Sequence, residues 1–388
     1  MPYIVLINMG RPKAKKKAKR TDKDSLKELA GGSSRSKAVS QAAIATEAKY
    51  SVSQLLDKAE ELIDAFDYEV AQKFCQRALE LEVDNTRALE TSGTLMLETG
   101  NAEAAKQCFG RAIELSPEKG YSKYMALGQL FEGQQSIQCY QKGIELMVKE
   151  MQEHQEKQVA AACAQDDKHN ELCRGISSAY CSVAEIYMTD CCDDEGAEEK
   201  CQSSIEKSIE ADNSNPEAYQ MMASFLLVKQ DKDNAKEAIN RSVSLWLPKF
   251  KEREKSTSED FDPVEAVPLT YQTRVQAAQI LTEVEEYQTA FEILESLLDE
   301  DDEVIQVWYM IGLLNHLQGS EYYGNARHYL AKAKELSTKL VCDDEPMLKH
   351  IEELIDELGA GDEEAVETDG DDWEDVDSST EEEAMDAL

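Results

Sequence analysis

Residues that could carry out chemistry are present in this sequence, but they are scattered. Its five histidines stand at positions 154, 169, 316, 328 and 350. The nearest approach to a metal-ligating cluster is Cys163, His169 and Cys173, whose spacing matches none of the common zinc patterns. A glycine-rich phosphate loop and a His-Glu-x-x-His helix are also missing from the sequence. We therefore expect a protein that is not an enzyme and that uses no cofactor or metal.

The ten cysteines suggest packing rather than catalysis or disulfide formation. With no secretory leader ahead of them, we expect thiols in a reducing, intracellular compartment. Cys191 and Cys192 are followed by three acidic residues, which predicts an exposed loop. The others that fall in helical patterns are expected to act as small apolar fillers between helices: Cys75, Cys108, Cys139 and Cys201.

Charge is the strongest compositional signal. The chain of 388 residues has 41 Lys and Arg against 79 Asp and Glu, a formal charge of −38. Residues 1–40 carry +8, residues 361–388 carry −14, and the middle, 41–360, carries −32. An anionic body repels nucleic-acid backbones and anionic membranes, and no apolar stretch reaches the roughly 20 residues of a membrane helix. The body is therefore expected to bind neither nucleic acid nor a membrane.

The two ends of the chain differ from the middle. We expect residues 1–45 to form a basic disordered arm and residues 359–388 an acidic disordered tail, because like charges repel and large apolar side chains are few. The basic run has no interleaved aromatic residues to stack on bases, which favours a nuclear import address over an RNA-binding or merely solubilising arm. Its residues are Arg11, Lys13, Lys15, Lys16, Lys17, Lys19 and Arg20.

The elements that position any site are repeated helices. Small residues stand 12 positions apart at Ala59 and Ala71, and the same offset recurs one repeat further along, at Gly93 and Ala105. A period of about 34 residues with small residues at helix crossings is typical of the tetratricopeptide repeat. The fullest local match is Trp308-x2-Ile311-Gly312-x2-Asn315. We predict an all-α fold, a right-handed α-α superhelical solenoid of about seven helix pairs plus a capping helix.

The predicted solenoid spans residues 46–358, with a polar insert at about 251–268. Its third pair has an early Ser136 and a second helix that continues past Met151. Apolar residues recur on one face of the segment Pro346 to Leu358, which predicts the capping helix.

A tetratricopeptide solenoid presents the first helix of each pair on its concave side. Acidic residues predominate among the positions predicted to face this groove, and Arg87 lies among them. We interpret the groove as a trough for a basic, extended peptide, the alternative being that the acids only keep the protein soluble. The carboxylate clamp of solenoids that dock heat-shock chaperone tails is absent. The predicted groove residues are Glu60, Glu90, Glu98, Gln129, Glu132, Glu185, Glu217, Gln220, Gln279 and Tyr309.

One stretch resembles a known family. The run Gly120-Tyr121-Ser122-Lys123-Tyr124-Met125-Ala126-Leu127-Gly128-Gln129-Leu130, followed by Tyr140-Gln141-Lys142-Gly143-Ile144-Glu145-Leu146, is similar to the eukaryotic dedicated assembly chaperones of large-subunit ribosomal protein number four. The basic start and the acidic ending fit the same layout. The resemblance implies capture of a newly made basic ribosomal protein and its escort from cytoplasm to nucleus, with an import receptor as a further partner.

Two other functions remain open at this point. Tetratricopeptide arrays also serve as scaffold subunits of multi-protein assemblies, and a factor that binds RNA through its basic arm would carry the same run of lysines and arginines. A free, basic partner protein would favour the chaperone.

Overall fold

Every regular element in the described part of the chain is a helix, as the periodicity predicts. The structure, a computed structural model, describes residues 50–161, 167–255 and 269–359. These residues form two compact units, divided after Leu269. No helix of the described ranges has the length and apolar character that crossing a bilayer requires.

Eleven helices of the first unit are described. They are α1 (Val52–Asp64), α2 (Tyr68–Leu81), α3 (Thr86–Glu98), α4 (Ala102–Leu115), α5 (Ser122–Leu130), α6 (Gly133–Ala161), α7 (Asp167–Met188), α8 (Ala197–Ala211), α9 (Pro216–Val228), α10 (Lys232–Ser244) and α11 (Leu247–Lys255). Consecutive helices pack as antiparallel pairs, α1 with α2, α3 with α4, α5 with α6, α7 with α8, and α9 with α10.

Capping residues set the helix starts, and they recur at the repeat spacing. Ser51 begins α1 and exchanges hydrogen bonds with Gln54 in a capping box, and Asn85, at the equivalent position of the next repeat, caps α3 through the Ala88 N–H at 3.0 Å. Asp67 caps α2, and its equivalent in the next repeat, Asn101, caps α4. Side-chain oxygens at these positions satisfy backbone N–H groups that have no partner inside the helix. The 34-residue repeat is therefore visible in the capping residues as well as in the buried core.

Small residues lie where the two helices of a pair cross. Ala59, Ala71 and Ala105 are completely buried. A Cβ atom added to Gly93 would lie 2.7 Å from the Phe109 ring, closer than real carbon atoms approach. The same holds for Gly128 against Tyr140. The 12-residue offset in the sequence therefore reflects close approach of the paired helices, with an aromatic ring covering the glycine.

Substituting alanine at two glycines should have opposite effects on stability. Gly93→Ala is expected to lower the free energy of unfolding by about 1–3 kcal/mol, because the new methyl group overlaps Phe109. Gly110→Ala, in α4, is expected to raise it by up to about 1 kcal/mol, because nothing lies within 4 Å of the added carbon and alanine favours the helix. Urea denaturation of both variants measures the difference, and equal effects would contradict the crossing geometry.

The third and fourth pairs depart from the repeat. Helix α5 has 9 residues, whereas α6 has 29, in agreement with the predicted long second helix. The Ser136 hydroxyl is buried and donates to the Gly128 carbonyl, so the chain turns back early. Helix α7 begins at Asp167 and packs against the extended part of α6, where Met147 contacts a cluster that includes Leu172 and Ile176. The long helices thus share one core.

Five helices and one 3-10 turn are described in the second unit. They are α12 (Tyr271–Glu283), α13 (Tyr287–Glu300), α14 (Ile305–Gln318), the 3-10 turn Ser320–Tyr322, α15 (Tyr323–Lys339) and α16 (Glu345–Leu358). Helices α12 and α13 form one pair and α14 and α15 the next. Helix α16 packs on α15 with one apolar face, as the capping-helix prediction requires. That face buries Met347, Ile351, Leu354 and Leu358, and Leu348 is only half-buried.

Several predicted segments fall partly or wholly outside this description. Helix α11 occupies residues 247–255, so the start of the predicted polar insert, 251–255, is helical, and residues 256–268 lie outside the described ranges. The basic run 11–20 also lies outside them, as do all of the predicted basic arm and the predicted acidic tail after Gly359.

Candidate partner-binding face

The first helices of the pairs share a surface, which we call the A face. In the first unit it is formed by α1, α3, α5, α7 and α9, and contacts join α1 to α3 and α7 to α9. Side chains that point between adjacent first helices therefore decide its charge. Five of the predicted groove residues on these helices are glutamates: Glu60, Glu90, Glu98, Glu185 and Glu217.

Glu60 is engaged by a cation of the next pair. The Arg87 guanidinium donates from Nη2 to Glu60 Oε2 at 2.7 Å and to Asp57 Oδ1 at 2.6 Å. The hydrogen bonds that Arg87 donates to Glu60 first and to Asp57 second hold the pKa of Arg87 above its ordinary value. These side chains are all about half exposed, and exposed ion pairs contribute only about 0–1 kcal/mol. A competing cationic partner would have to displace Arg87.

Glu90 has a comparable partner, one pair further along. Lys123 is 1 % exposed, and its Nζ lies 3.1 Å from Glu90 Oε1. The same ammonium group donates to the Lys119 carbonyl. A buried ammonium needs such partners, because an unpaired charge away from water is costly. The sequence analysis did not predict this pairing. Both the Glu60–Arg87 and the Glu90–Lys123 pairs join an acid on one first helix to a cation on the next, and that pattern is the sequence signal that could have indicated them.

Two acids meet at the junction of α7 and α9. Burial, and secondarily the charge of Glu185, raises the pKa of Glu217 above its ordinary value. Within the described ranges, no lysine or arginine lies within ion-pair distance of Glu217. The α1–α3 and α3–α5 junctions each pair the predicted groove acid with a cation, whereas Glu217 has none in the described ranges. The arrangement concentrates negative potential on the A face.

Removing the Glu217 charge should stabilise the fold at neutral pH. A raised folded-state pKa means that stability is complete at low pH and is lost as the pH rises from the ordinary carboxyl value through the raised one. Glu217→Gln is therefore expected to gain about 1 kcal/mol at pH 7 and nothing below about pH 4. Chemical denaturation of both proteins across this pH range measures it. An equal or lower stability of the variant at pH 7 would contradict the account.

The remaining predicted groove residues of the first unit do not gather at one place. Glu98 ends α3 and accepts a 3.5 Å hydrogen bond from the Tyr68 hydroxyl of α2, the second helix of its neighbouring pair. Gln129 is exposed on α5, and Glu132 lies in the turn before α6 rather than on a first helix. Gln220 is on α9 but only 5 % exposed. The predicted groove positions of the first unit therefore do not form one continuous exposed surface.

In the second unit, Gln279 is half-buried on α12 and Tyr309 is buried on α14. The Tyr309 hydroxyl lies 2.7 Å from His350 Nδ1 of the capping helix α16, and burial raises the tyrosine pKa to about 12. The prediction that Tyr309 lines an accessible groove is therefore wrong. The repeat motif locates α14 but does not say what the capping helix covers.

The cysteine predictions have mixed outcomes. Cys75 and Cys201 are buried as predicted, and Cys108 and Cys139 are half-buried. Cys192 is exposed as predicted. Cys191 is only 5 % exposed, so the prediction that it lies in an exposed loop is wrong. The loop packs on the start of α6, where Asp190 Oδ2 accepts from the Gly133 N–H at 3.1 Å. Cys163 lies outside the described residues.

Comparison with known proteins agrees with this architecture. Residues 86–119 match the tetratricopeptide repeat family. A Schizosaccharomyces pombe protein named "Probable assembly chaperone of rpl4" is 29% identical over 295 residues, covering 71% of this chain and 81% of the relative. An Emericella nidulans protein of the same name is 27% identical over 319 residues, covering 78% and 72%.

A solved structure, "Assembly Chaperone of RpL4 (Acl4) (Residues 1-338)", has the same fold with a TM-score of 0.62 and 24% identity. The match covers 71% of this chain and the whole of the solved chain. The matches confirm both the predicted fold and the resemblance read from residues 120–146. The chain therefore has the helical-pair fold of tetratricopeptide repeats, and it is similar to curated proteins named as probable assembly chaperones of rpl4.

Proposed function

We propose that this protein is a dedicated chaperone of a basic large-subunit ribosomal protein of the rpl4 type. It binds the newly made protein on its acidic A face, keeps it soluble and accompanies it from cytoplasm to nucleus. The observation that carries the proposal is the excess of acid on the solenoid, −32 over residues 41–360, in a chain whose relatives are named for this role.

Electrostatics explains how such a face would work. Ribosomal proteins are rich in lysine and arginine and associate with RNA through charge. An anionic surface attracts them at long range and offers their cations an alternative partner until RNA replaces it. Individual exposed pairs are weak, about 0–1 kcal/mol each, so binding needs many of them and weakens with salt.

The acids of the A face are not equivalent in this proposal. Glu60 and Glu90 already have the cationic partners Arg87 and Lys123, which largely compensate their charges, so these two acids contribute less to the attraction of the client. Glu217 lacks a cation within the described ranges and is half-buried beside Glu185. A lysine or arginine side chain of the client placed beside Glu217 would supply the cation that this carboxylate lacks, so this junction is the strongest point of contact.

Nuclear escort rests on the basic run from Arg11 to Arg20. In this proposal an import receptor recognises the run while the solenoid holds the client, and the solenoid itself contacts neither nucleic acid nor membrane. Fusing residues 1–45 to a fluorescent reporter and comparing it with the same fusion carrying alanines at the seven basic positions tests the step. Nuclear enrichment of the first fusion alone is expected, and equal distribution of the two would contradict it.

Co-expression tests the chaperone role directly. The full chain and a basic ribosomal protein of the rpl4 type are produced together, and the soluble fraction of the ribosomal protein is compared with that from expression alone. We expect a soluble one-to-one complex that dissociates as salt is raised. Recovery of stable complexes with neutral or acidic proteins instead, and no effect on the ribosomal protein, would favour the scaffold alternative.

A further inference from the structure

Two possible metal-ligating atoms, a methionine sulfur and a histidine nitrogen, lie within 4 Å of the Cys173 sulfur where α6 and α7 pack together. Cys173 Sγ lies 3.8 Å from Met151 Sδ of α6 and 3.6 Å from His169 Nε2 of its own helix. His169 and Cys173 are four residues apart, so both side chains leave the same face of α7. All three residues are half-buried, which leaves a path for a small ion.

The separations are those of ligands around one metal ion. Metal–sulfur bonds of about 2.3 Å and metal–nitrogen bonds of about 2.0 Å hold two sulfurs about 3.8–4.0 Å apart, and a sulfur and a nitrogen about 3.5–3.7 Å apart, at angles between tetrahedral and trigonal. Both observed distances fall in these ranges. An ion could therefore bind at this place with small side-chain rotations.

The donor set selects among metals. Thiolate and thioether sulfur are soft ligands that favour Cu(I), whereas zinc sites use cysteine, histidine and carboxylate but not methionine. An ion pair of 2.5 Å between Lys168 and Glu150 joins the two helices next to the ligands and holds their register.

We propose that Met151, His169 and Cys173 form a binding site for a cuprous ion. On binding, the Cys173 thiol releases its proton as the copper–sulfur bond forms, and neutral His169 and Met151 donate lone pairs, so that no electron is transferred. The site uses none of the acidic residues to which the proposed function assigns partner binding. The spacing of Cys163, His169 and Cys173 matches no common metal pattern, and the proposed site instead combines His169 and Cys173 with Met151 of α6.

Anaerobic titration with Cu(I) against a chromogenic chelator tests the site in the full chain. We expect one equivalent bound by the native protein, and at least a tenfold weaker affinity in Cys173→Ser, Met151→Leu and His169→Gln. Cys192→Ser and Met188→Leu are matched controls, and they should bind copper as the native protein does. Thermal unfolding followed by circular dichroism verifies that each variant is folded, and Met151→Leu conserves volume.

X-ray absorption of the copper-loaded protein should show two sulfur ligands and one nitrogen ligand. Equal copper retention by the native protein, Cys173→Ser and Met151→Leu would overturn the proposal, since copper would then be held by other cysteines. Displacement of Cu(I) by an equal concentration of Zn(II), with no effect of Met151→Leu, would overturn the assignment to a soft cation.

Discussion

Replacing both Glu185 and Glu217 with lysine is expected to weaken binding of the basic ribosomal protein about 100-fold. Each substitution removes an attraction for the client's cations and adds a repulsion, and losing one partner of a desolvated charge pair costs about 2–5 kcal/mol. Two residues at one junction can therefore dominate over the many exposed acids. Fluorescence anisotropy of the labelled client at low salt measures the change.

Two acids on a second helix supply the matched control. Glu199 and Glu206 lie exposed on α8, and changing both to lysine alters the net charge of the protein by the same amount. The control should lose less than tenfold in affinity, because only the long-range field is reduced. Equal losses in the two double variants would mean that total charge, and not the α7–α9 junction, governs binding.

Arg274→Met in the second unit is expected to lower the free energy of unfolding by about 3–5 kcal/mol, the usual cost of leaving one partner of a buried ion pair alone. Arg274 lies in the first turn of α12 and is 1 % exposed, and its guanidinium forms a two-pronged contact with Glu300 at the end of α13. Nη2 lies 2.8 Å from Glu300 Oε2. Urea denaturation monitored in the full chain measures the loss.

The companion double variant separates lost packing from lost pairing. Arg274→Met with Glu300→Leu removes both charges, and well-packed apolar replacements of ion pairs are often neutral. We expect it to recover most of the stability that the single variant loses. A double variant as unstable as Arg274→Met would mean that the aliphatic packing of the arginine, and not the unpaired Glu300 carboxylate, accounts for the effect.

The parts of this fold that repeat could be predicted from sequence, because they depend on local chemistry. The cap at Ser51 reappears one repeat later at Asn85, and the small residue at Ala59 reappears at Gly93. Each of these residues signals a helix start or a helix crossing wherever it occurs. The length of α6 could also be predicted from local chemistry, since residues 152–161 include neither proline nor glycine to end the helix.

Predictions about the candidate site were less successful, because accessibility depends on contacts far apart in sequence. Tyr309 lies at a groove position of the motif, yet α16, which follows only after the whole of α15, covers it through His350. Cys191 follows a helix and precedes acidic residues, yet its loop packs against the start of α6, on the far side of α7 in the sequence. Nothing local to Tyr309 or Cys191 encodes these partners.

The central claim is that an anionic A face holds a cationic client, and the salt dependence of the affinity tests it most directly. The dissociation constant of the full chain for the basic ribosomal protein is measured at a series of salt concentrations, beside an anionic polymer of similar length. The account predicts tight binding of the ribosomal protein that weakens steadily with salt, and no binding of the anionic polymer. Salt-independent affinity for the ribosomal protein, or preferential binding of the anionic polymer, would contradict it.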